Sequence, residues 1–151
     1  MEKLNDMQNE AVQIEQIRYE LTWRIRHEVM YPNLPFGSIK LTTDPEGIHF
    51  GLYTDDALTT VASLFYVNKI YQFRKLATLI DQQGKGYGSM MVQYLINFVI
   101  NEKAETLWCN ARVSVASFYS KFGFKARGPY FRENEIEFVI MELDLTGTLD
   151  A

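Results

Sequence analysis

The chain has 151 residues, 47% of them apolar and 14% aromatic, which is enough to fill the core of one ordinary domain. Charged residues make up 23%, with 15 Lys and Arg against 19 Asp and Glu and a formal net charge of −4. This excludes a natively disordered chain, which combines low hydrophobicity with high net charge, and argues against a nucleic-acid grip, which needs a basic face.

In chain order, Val12–Ile17 alternates apolar and polar residues and predicts a half-buried strand. From about Tyr19 to Met30 the apolar residues Leu21, Ile25, Val29 and Met30 recur at helical spacing, and Pro32 and Pro35 end that helix. Ile48–Tyr53 reads as a strand and Asp55-Asp56 as a turn. Leu58–Val67 and Ile70–Leu79 are rich in β-branched and aromatic residues and predict two more strands. A helix is expected from about Gly86 to Asn101, with Met91, Leu95, Phe98 and Val99 on one face. Thr106–Asn110 reads as a short buried strand, Ser114–Phe122 as a short helix and Glu135–Leu145 as the last strand. The order β, α, a run of β, α, β, α, β predicts a mixed α/β (α+β) sheet with helices on its faces. No repeat or low-complexity tract interrupts it, so one domain over 1–151 is expected, with flexible ends at about 1–10 and 147–151.

No segment reads as a membrane span, since Gly88–Ile100 is short and holds Gln93 and Asn97. The first residues lack the basic-then-apolar order of a signal peptide, and the single Cys109 cannot close an internal disulfide. A cytoplasmic protein with no membrane and no nucleic-acid partner is expected.

One segment carries the chemistry: Asp81-Gln82-Gln83-Gly84-Lys85-Gly86-Tyr87-Gly88-Ser89, between a strand and a helix. Glycines at alternate positions let backbone approach a ligand where a Cβ would clash. The first amides of the following helix lack intrahelical partners and carry the positive end of the dipole. Together they can cradle a phosphate without net positive charge on the protein, with Lys85 adding a point charge, although the same glycines would also suit a plain turn. A P-loop is excluded because Lys85 is followed by Gly86 rather than Ser or Thr. A dinucleotide fingerprint is weakened by Ser89 at its third glycine position and by the short chain.

Gln83-Gly84-Lys85-Gly86-Tyr87-Gly88 resembles the Gln/Arg-x-x-Gly-x-Gly/Ala loop of GNAT-type N-acetyltransferases. Ala116-Ser117-Phe118-Tyr119-Ser120-Lys121-Phe122-Gly123-Phe124 is similar to that superfamily's Ala-x-x-hydrophobic-Tyr-x-Lys-x-Gly-Phe segment, one helix and one strand downstream. Arg26–Asn33, Gly47–Gly51 and Arg74–Leu79 resemble an uncharacterised bacterial branch, so the likeness runs from about Val12 to Leu145. It implies the GNAT acyl-CoA N-acyltransferase fold, a mostly antiparallel sheet flanked by helices. It also implies transfer of the acetyl group of acetyl-CoA, as cosubstrate and without metal, directly to a primary amine.

Residue by residue, the resemblance implies that the amides of Gly84 to Ser89, with Gln83, hold the pyrophosphate. The backbone of Ala77, Thr78 and Leu79 would pair with the pantetheine arm and polarise the thioester. Tyr119 would act as general acid toward the departing thiolate, a sensible role for a phenol. Many members carry Asn where this chain has Val113, so Asn110 and Arg112 are candidate substitutes on the cofactor arm. Glu137 is the first candidate for the base that deprotonates the acceptor, because Glu135, Glu137, Val139 and Met141 share one face of the last strand. His49, His27 and Glu28 are the other candidates, with a structural hydrogen-bonding role as the alternative for the histidines. Cys109, between Trp108 and Asn110, reads as a core residue, and two histidines and one cysteine far apart give no metal-ligand spacing. The acceptor is expected to be a small-molecule or protein amine, and the chain a monomer or homodimer. Two alternatives stay open: a non-catalytic acyl-CoA binding or sensing module, and a nucleotide binder at the same loop.

Overall fold

The computed structural model describes residues 11–149. The ends expected to be flexible fall largely outside this range; the end of the described chain carries a 3-10 turn at Thr146–Thr148. The elements are β1 (Val12–Ile17), α1 (Trp23–Met30), β2 (Ile48–Thr54), β3 (Ala57–Val67), β4 (Ile70–Thr78), α2 (Tyr87–Asn101), β5 (Thr106–Arg112), α3 (Ala116–Ser120), β6 (Lys125–Glu133) and β7 (Ile136–Asp144). The seven strands are ordered β1-β2-β3-β4-β5-β7-β6, giving the expected mixed α/β architecture.

The contacts divide the chain into two compact units. One holds the chain up to Ser63 together with Lys75–Val92, and the other holds Leu64–Arg74 with the chain from Gln93 onward. In the first unit β1 and β2 pair antiparallel from Val12 with Thr54 to Ile17 with His49. Asp55 (φ 48°) and Asp56 (φ 70°) then turn the chain into β3. Both central residues are left-handed, as a two-residue hairpin between right-twisted strands requires. The helix expected over Tyr19–Met30 opens as a 3-10 turn, Tyr19–Thr22, and becomes an α-helix at Trp23. Leu21, counted on its apolar face, is 41% exposed, whereas Ile25 is fully buried against Val61 and Ala77, with Val29, Met30 and Leu79 packed around them.

In the second unit β5 pairs antiparallel with β7 along its whole length, Thr106 with Asp144 through Arg112 with Phe138, two residues beyond the strand expected to end at Asn110. The parallel ladder of β4 with β5 covers only Ile70, Tyr71 and Gln72 against Thr106, Leu107 and Trp108. Side chains alternate across these strands, so Tyr71, Phe73, Leu107, Cys109, Ala111, Val139 and Met141 are buried. Two further corrections fall here. A strand the sequence reading lacked, β6, forms the sheet edge, and Asn134 (φ 51°) and Glu135 (φ 70°) turn it into β7. Glu135 therefore sits in a turn, and does not share the strand face of Glu137, Val139 and Met141. The short helix expected over Ser114–Phe122 is a 3-10 turn, Val113–Val115, followed by α3.

Candidate functional site

Within the first unit, β4 ends at Thr78 and the chain crosses a 3-10 turn, Ile80–Gln82, before α2 begins at Tyr87. Gly84 (φ 80°) and Gly86 (φ 90°) lie in the left-handed region, which a side chain disfavours, so the turn itself requires both. Gly88 is different. Its φ is not positive, and a Cβ built there meets nothing within 4 Å, so neither backbone nor packing asks for a glycine. The space in front of it is what a phosphate approaching the first turn of a helix needs, and the loop residues Gln83 to Gly86 are exposed. The Gly86 carbonyl accepts from the Met90 amide at 3.0 Å, which fixes the start of the helical ladder and leaves Gly88 and Ser89 in its first turn.

Gln83 Nε2 donates to the Thr78 carbonyl at 3.0 Å and Lys85 Nζ to Gln82 Oε1 at 3.1 Å, so these two side chains shape the loop. The Leu79 amide donates to the Thr59 carbonyl at 3.0 Å, which engages it with β3. Successive backbone groups on a strand point to opposite edges, so the N–H of Thr78 faces away from β3. Of the three residues expected to meet the thioester arm, Thr78 is the one whose amide geometry suits that role. Ala77 is buried in the core beneath α1.

Within the second unit, Tyr119 on α3 is 9% exposed, its ring against Phe118, Phe73 and Phe124 at centroid distances of 5.0, 5.6 and 5.9 Å. Among the described residues its hydroxyl makes no hydrogen bond, so packing holds the ring while the proton stays available. Burial, helped by the neighbouring Cys109, raises the phenol above its ordinary value of 10.0. It is therefore protonated at neutral pH and has a proton to give. The side chains of Asn110 and Arg112 are exposed on β5, and Val113 is half-buried at the start of the following turn. From Cys109 onward β5 has left the parallel ladder while keeping its ladder to β7. Cys109 itself is buried and its thiol is pushed up to about 12 by burial, which makes it a core residue rather than a nucleophile.

Glu137 is exposed on β7, with Arg132 as its register partner on β6. His49, a candidate base, has the structural role instead. Its Nε2 meets the Asp44 carbonyl at 2.8 Å, which requires a proton there, so Nδ1 accepts from Ser63 Oγ at 2.7 Å. Arg26 in turn donates to Ser63 Oγ at 2.9 Å and, through both terminal nitrogens, to Asp44 at 2.8 and 3.0 Å. The four side chains are 0–3% exposed, and Trp23 Nε1 adds a bond to Asp44. Burial opposes the Asp44 charge, but the bonds from Arg26, Trp23 and the Leu41 amide outweigh it and hold the carboxyl below its ordinary value. His27 Nε2 lies 2.8 Å from the Leu34 carbonyl, and Glu28 is exposed. Among the described residues no group of three or more His, Cys, Asp or Glu lies close enough to hold a metal ion, and no helix is long and apolar enough to cross a membrane.

Comparison with known proteins places the chain in a family. The family described as acetyltransferase (GNAT) domain matches residues 9–145. The chain belongs to this family. An uncharacterized N-acetyltransferase of Bacillus subtilis, YitI, is 29% identical over 129 residues, 80% of this chain and 87% of that protein. The fold is shared with an acyl-CoA N-acyltransferase from Pseudomonas aeruginosa (TM-score 0.73, 15% identity, 89% and 99% of the two chains). It is shared too with an N-acetyltransferase from Staphylococcus aureus (TM-score 0.69, 15% identity, 90% and 99%). Membership assigns this GNAT domain to acetyl transfer, a family chemistry that uses acetyl-CoA as cosubstrate, and the open space at Gly88 before the first-turn amides of α2 has room for a phosphate of such a molecule.

Proposed function

We propose that the chain is an acetyl-CoA-dependent N-acetyltransferase, one cytoplasmic domain over 1–151, acting on a primary amine of a small molecule or protein. The observation that carries this reading is the loop before α2, where two glycines are required by the turn and a third, Gly88, only by something brought from outside. The amides of the first helical turn bind the pyrophosphate, and Lys85 adds positive charge. The Thr78 N–H orients and polarises the carbonyl to be attacked; a donor of this kind contributes roughly 3 kcal/mol to the barrier. Acetyl-CoA supplies the activated acetyl group, whose carbon bonds to the amine nitrogen as the sulfur leaves. Tyr119 holds the proton that the departing sulfur takes up, and Asn110 and Arg112 steady the cofactor arm in place of an asparagine at Val113. Glu137 draws the proton from the acceptor ammonium.

The test is calorimetric titration with acetyl-CoA against ADP, followed by thiol release in the presence of amines for the wild type and Tyr119→Phe. Tight binding of acetyl-CoA, feeble binding of ADP and turnover that falls in Tyr119→Phe are expected. Equal binding of the two ligands would make the loop a nucleotide site, and binding without turnover on any amine would leave an acyl-CoA sensing module.

A further inference from the structure

Lys75 stands in the middle of β4 with φ 59°, a left-handed conformation that a non-glycine side chain rarely adopts and a strand rarely contains. Strained residues of this kind persist where surrounding structure fixes them, and they gather at functional sites. The kink aims the side chain at Tyr31, the residue that caps the C-terminus of α1. Lys75 Nζ donates to Tyr31 Oη at 2.6 Å and lies 4.8 Å from the centre of the same ring. Both residues are half-buried. Lys75 has no carboxylate partner among the described residues, where the ion pairs are Arg26 with Asp44 and Arg127 with Glu142. An ammonium withdrawn partly from water and balanced only by a phenol is an incomplete arrangement. A second, anionic partner would complete it, with the Tyr31 hydroxyl proton free to donate to the same anion.

The position of this pair says what the anion belongs to. Ala77 on β4 and Leu79 just past its end pack with Ile25, Val29 and Met30 of α1, so Lys75 and Tyr31 close the C-terminal end of that helix–strand layer. Lys75 and Thr78 are three residues apart on β4, which covers about 10 Å in an extended strand. An anion held by Lys75 therefore lies one small molecule away from the Thr78 amide that faces the transferred acetyl group. A positive charge at this distance disfavours polycationic acceptors and favours an amine that brings its own negative charge.

Resting on the acetyl-transfer reading above, we propose that Lys75 and Tyr31 form an anion dock that selects acceptors whose amine and carboxylate are a few bonds apart, the amino-acid class. The test uses product-like probes: N-acetylglycine, N-acetyl-leucine, N-acetylphenylalanine and N-acetylglutamate, each against its primary α-amide, titrated by NMR into protein saturated with coenzyme A. For the side chain that fits, the carboxylate is expected to bind at least tenfold tighter than its amide. That preference should vanish in Lys75→Met, fall severalfold in Tyr31→Phe and return in part in Lys75→Arg, with coenzyme A affinity unchanged. Melting curves of the variants separate loss of the dock from loss of the fold, and Tyr31→Phe carries the test if Lys75→Met does not fold. Carboxylates that bind no better than amides, or no binding of either, overturn the dock. Failure of coenzyme A itself to bind overturns the acetyl-transfer reading and the inference with it.

Discussion

Replacing Gly88 separates a glycine kept for the fold from one kept for a ligand, because the two predict opposite signs. Its φ is not positive and an added Cβ meets nothing within 4 Å, so a side chain begins at Gly88 without backbone strain or a clash at its first atom, and Gly88→Leu tests it. Glycine in a helix costs up to about 1 kcal/mol relative to good helix formers; at the second residue of α2 a gain of about 0.5 kcal/mol is expected. For a chain of this size that raises Tm by roughly 1–2 °C. The leucine side chain occupies the space through which a phosphate reaches the first-turn amides, and a tenfold loss of acetyl-CoA affinity, about 1.4 kcal/mol, is the least expected. Wild-type protein at a hundredfold excess over Kd gains about 2.7 kcal/mol from the ligand, and the variant should gain only about half. Scanning calorimetry with and without acetyl-CoA measures both effects in one experiment. Gly84→Ala and Gly86→Ala provide the contrast: at φ 80° and 90° each should lose about 1 kcal/mol or more without ligand. A Gly88→Leu protein that melts lower than wild type yet keeps its full ligand-induced shift would refute the phosphate cradle.

Tyr119→Phe removes a hydroxyl that makes no hydrogen bond among the described residues, so melting should barely move, while kcat for thiol release falls on the order of 10²-fold at unchanged acetyl-CoA Kd. His49 is held neutral by burial and by the nearby Arg26 charge, against the raising influence of the Asp44 carbonyl and the Asp44 and Glu20 charges, and its folded pKa lies below the ordinary 6.5. Protonation therefore favours the unfolded chain, so stability is complete above about pH 6.5 and declines as pH falls below it; Asp44, held below 3.8, adds a further loss only at lower pH. Melting against pH should show this decline, and a His49→Gln protein that retains the same acid slope would remove His49 from the explanation. Arg26→Met strands a buried carboxylate and should cost about 3–5 kcal/mol by denaturant titration, with much of it recovered in the double variant Arg26→Met/Asp44→Leu. A single variant no less stable than the double would show that the pair is not coupled.

What could be read from the sequence was what the backbone decides locally. The loop Gln83–Ser89 was legible because glycine at φ 80° and 90° leaves a mark in composition, and α2 because Met91, Leu95 and Val99 repeat at helical period. β6 was not legible. Strand patterns come from having one wet face and one dry face, and β6 at the sheet edge is exposed along nearly its whole length, with Gly128 (φ 77°) and Pro129 breaking its run. Its turn offered Asn134-Glu135 where Asn-Gly would have signalled a hairpin. The sequence therefore suggests a strand that starts at Glu135, whereas Glu135 turns the chain and leaves Glu137 as the acidic residue on that face of β7.

The side-chain pairs hidden from the sequence are those that join distant residues. Arg26 and Asp44 are 18 positions apart, and Lys75 and Tyr31 are 44 apart. Neither pair has a spacing that chemistry prescribes. Both meet because α1 lies across the β3–β4 hairpin: Ile25 and Val29 are drawn onto Val61 and Ala77, which carries Arg26 beneath the helix and Tyr31 to its end. The two pairs nevertheless differ in kind. Arg26 holds Asp44 through both terminal nitrogens, adds a bond to Ser63 and is sealed from water, so although its Nε has no acceptor among the described residues, its charge is met by a carboxylate inside the fold. Lys75 sits in a backbone conformation unfavourable for lysine, keeps partial access to solvent and meets only a phenol. A fold that gives one buried cation a two-pronged carboxylate and leaves another, three residues before Thr78, with only a phenol places the unspent charge where an acceptor would complete it.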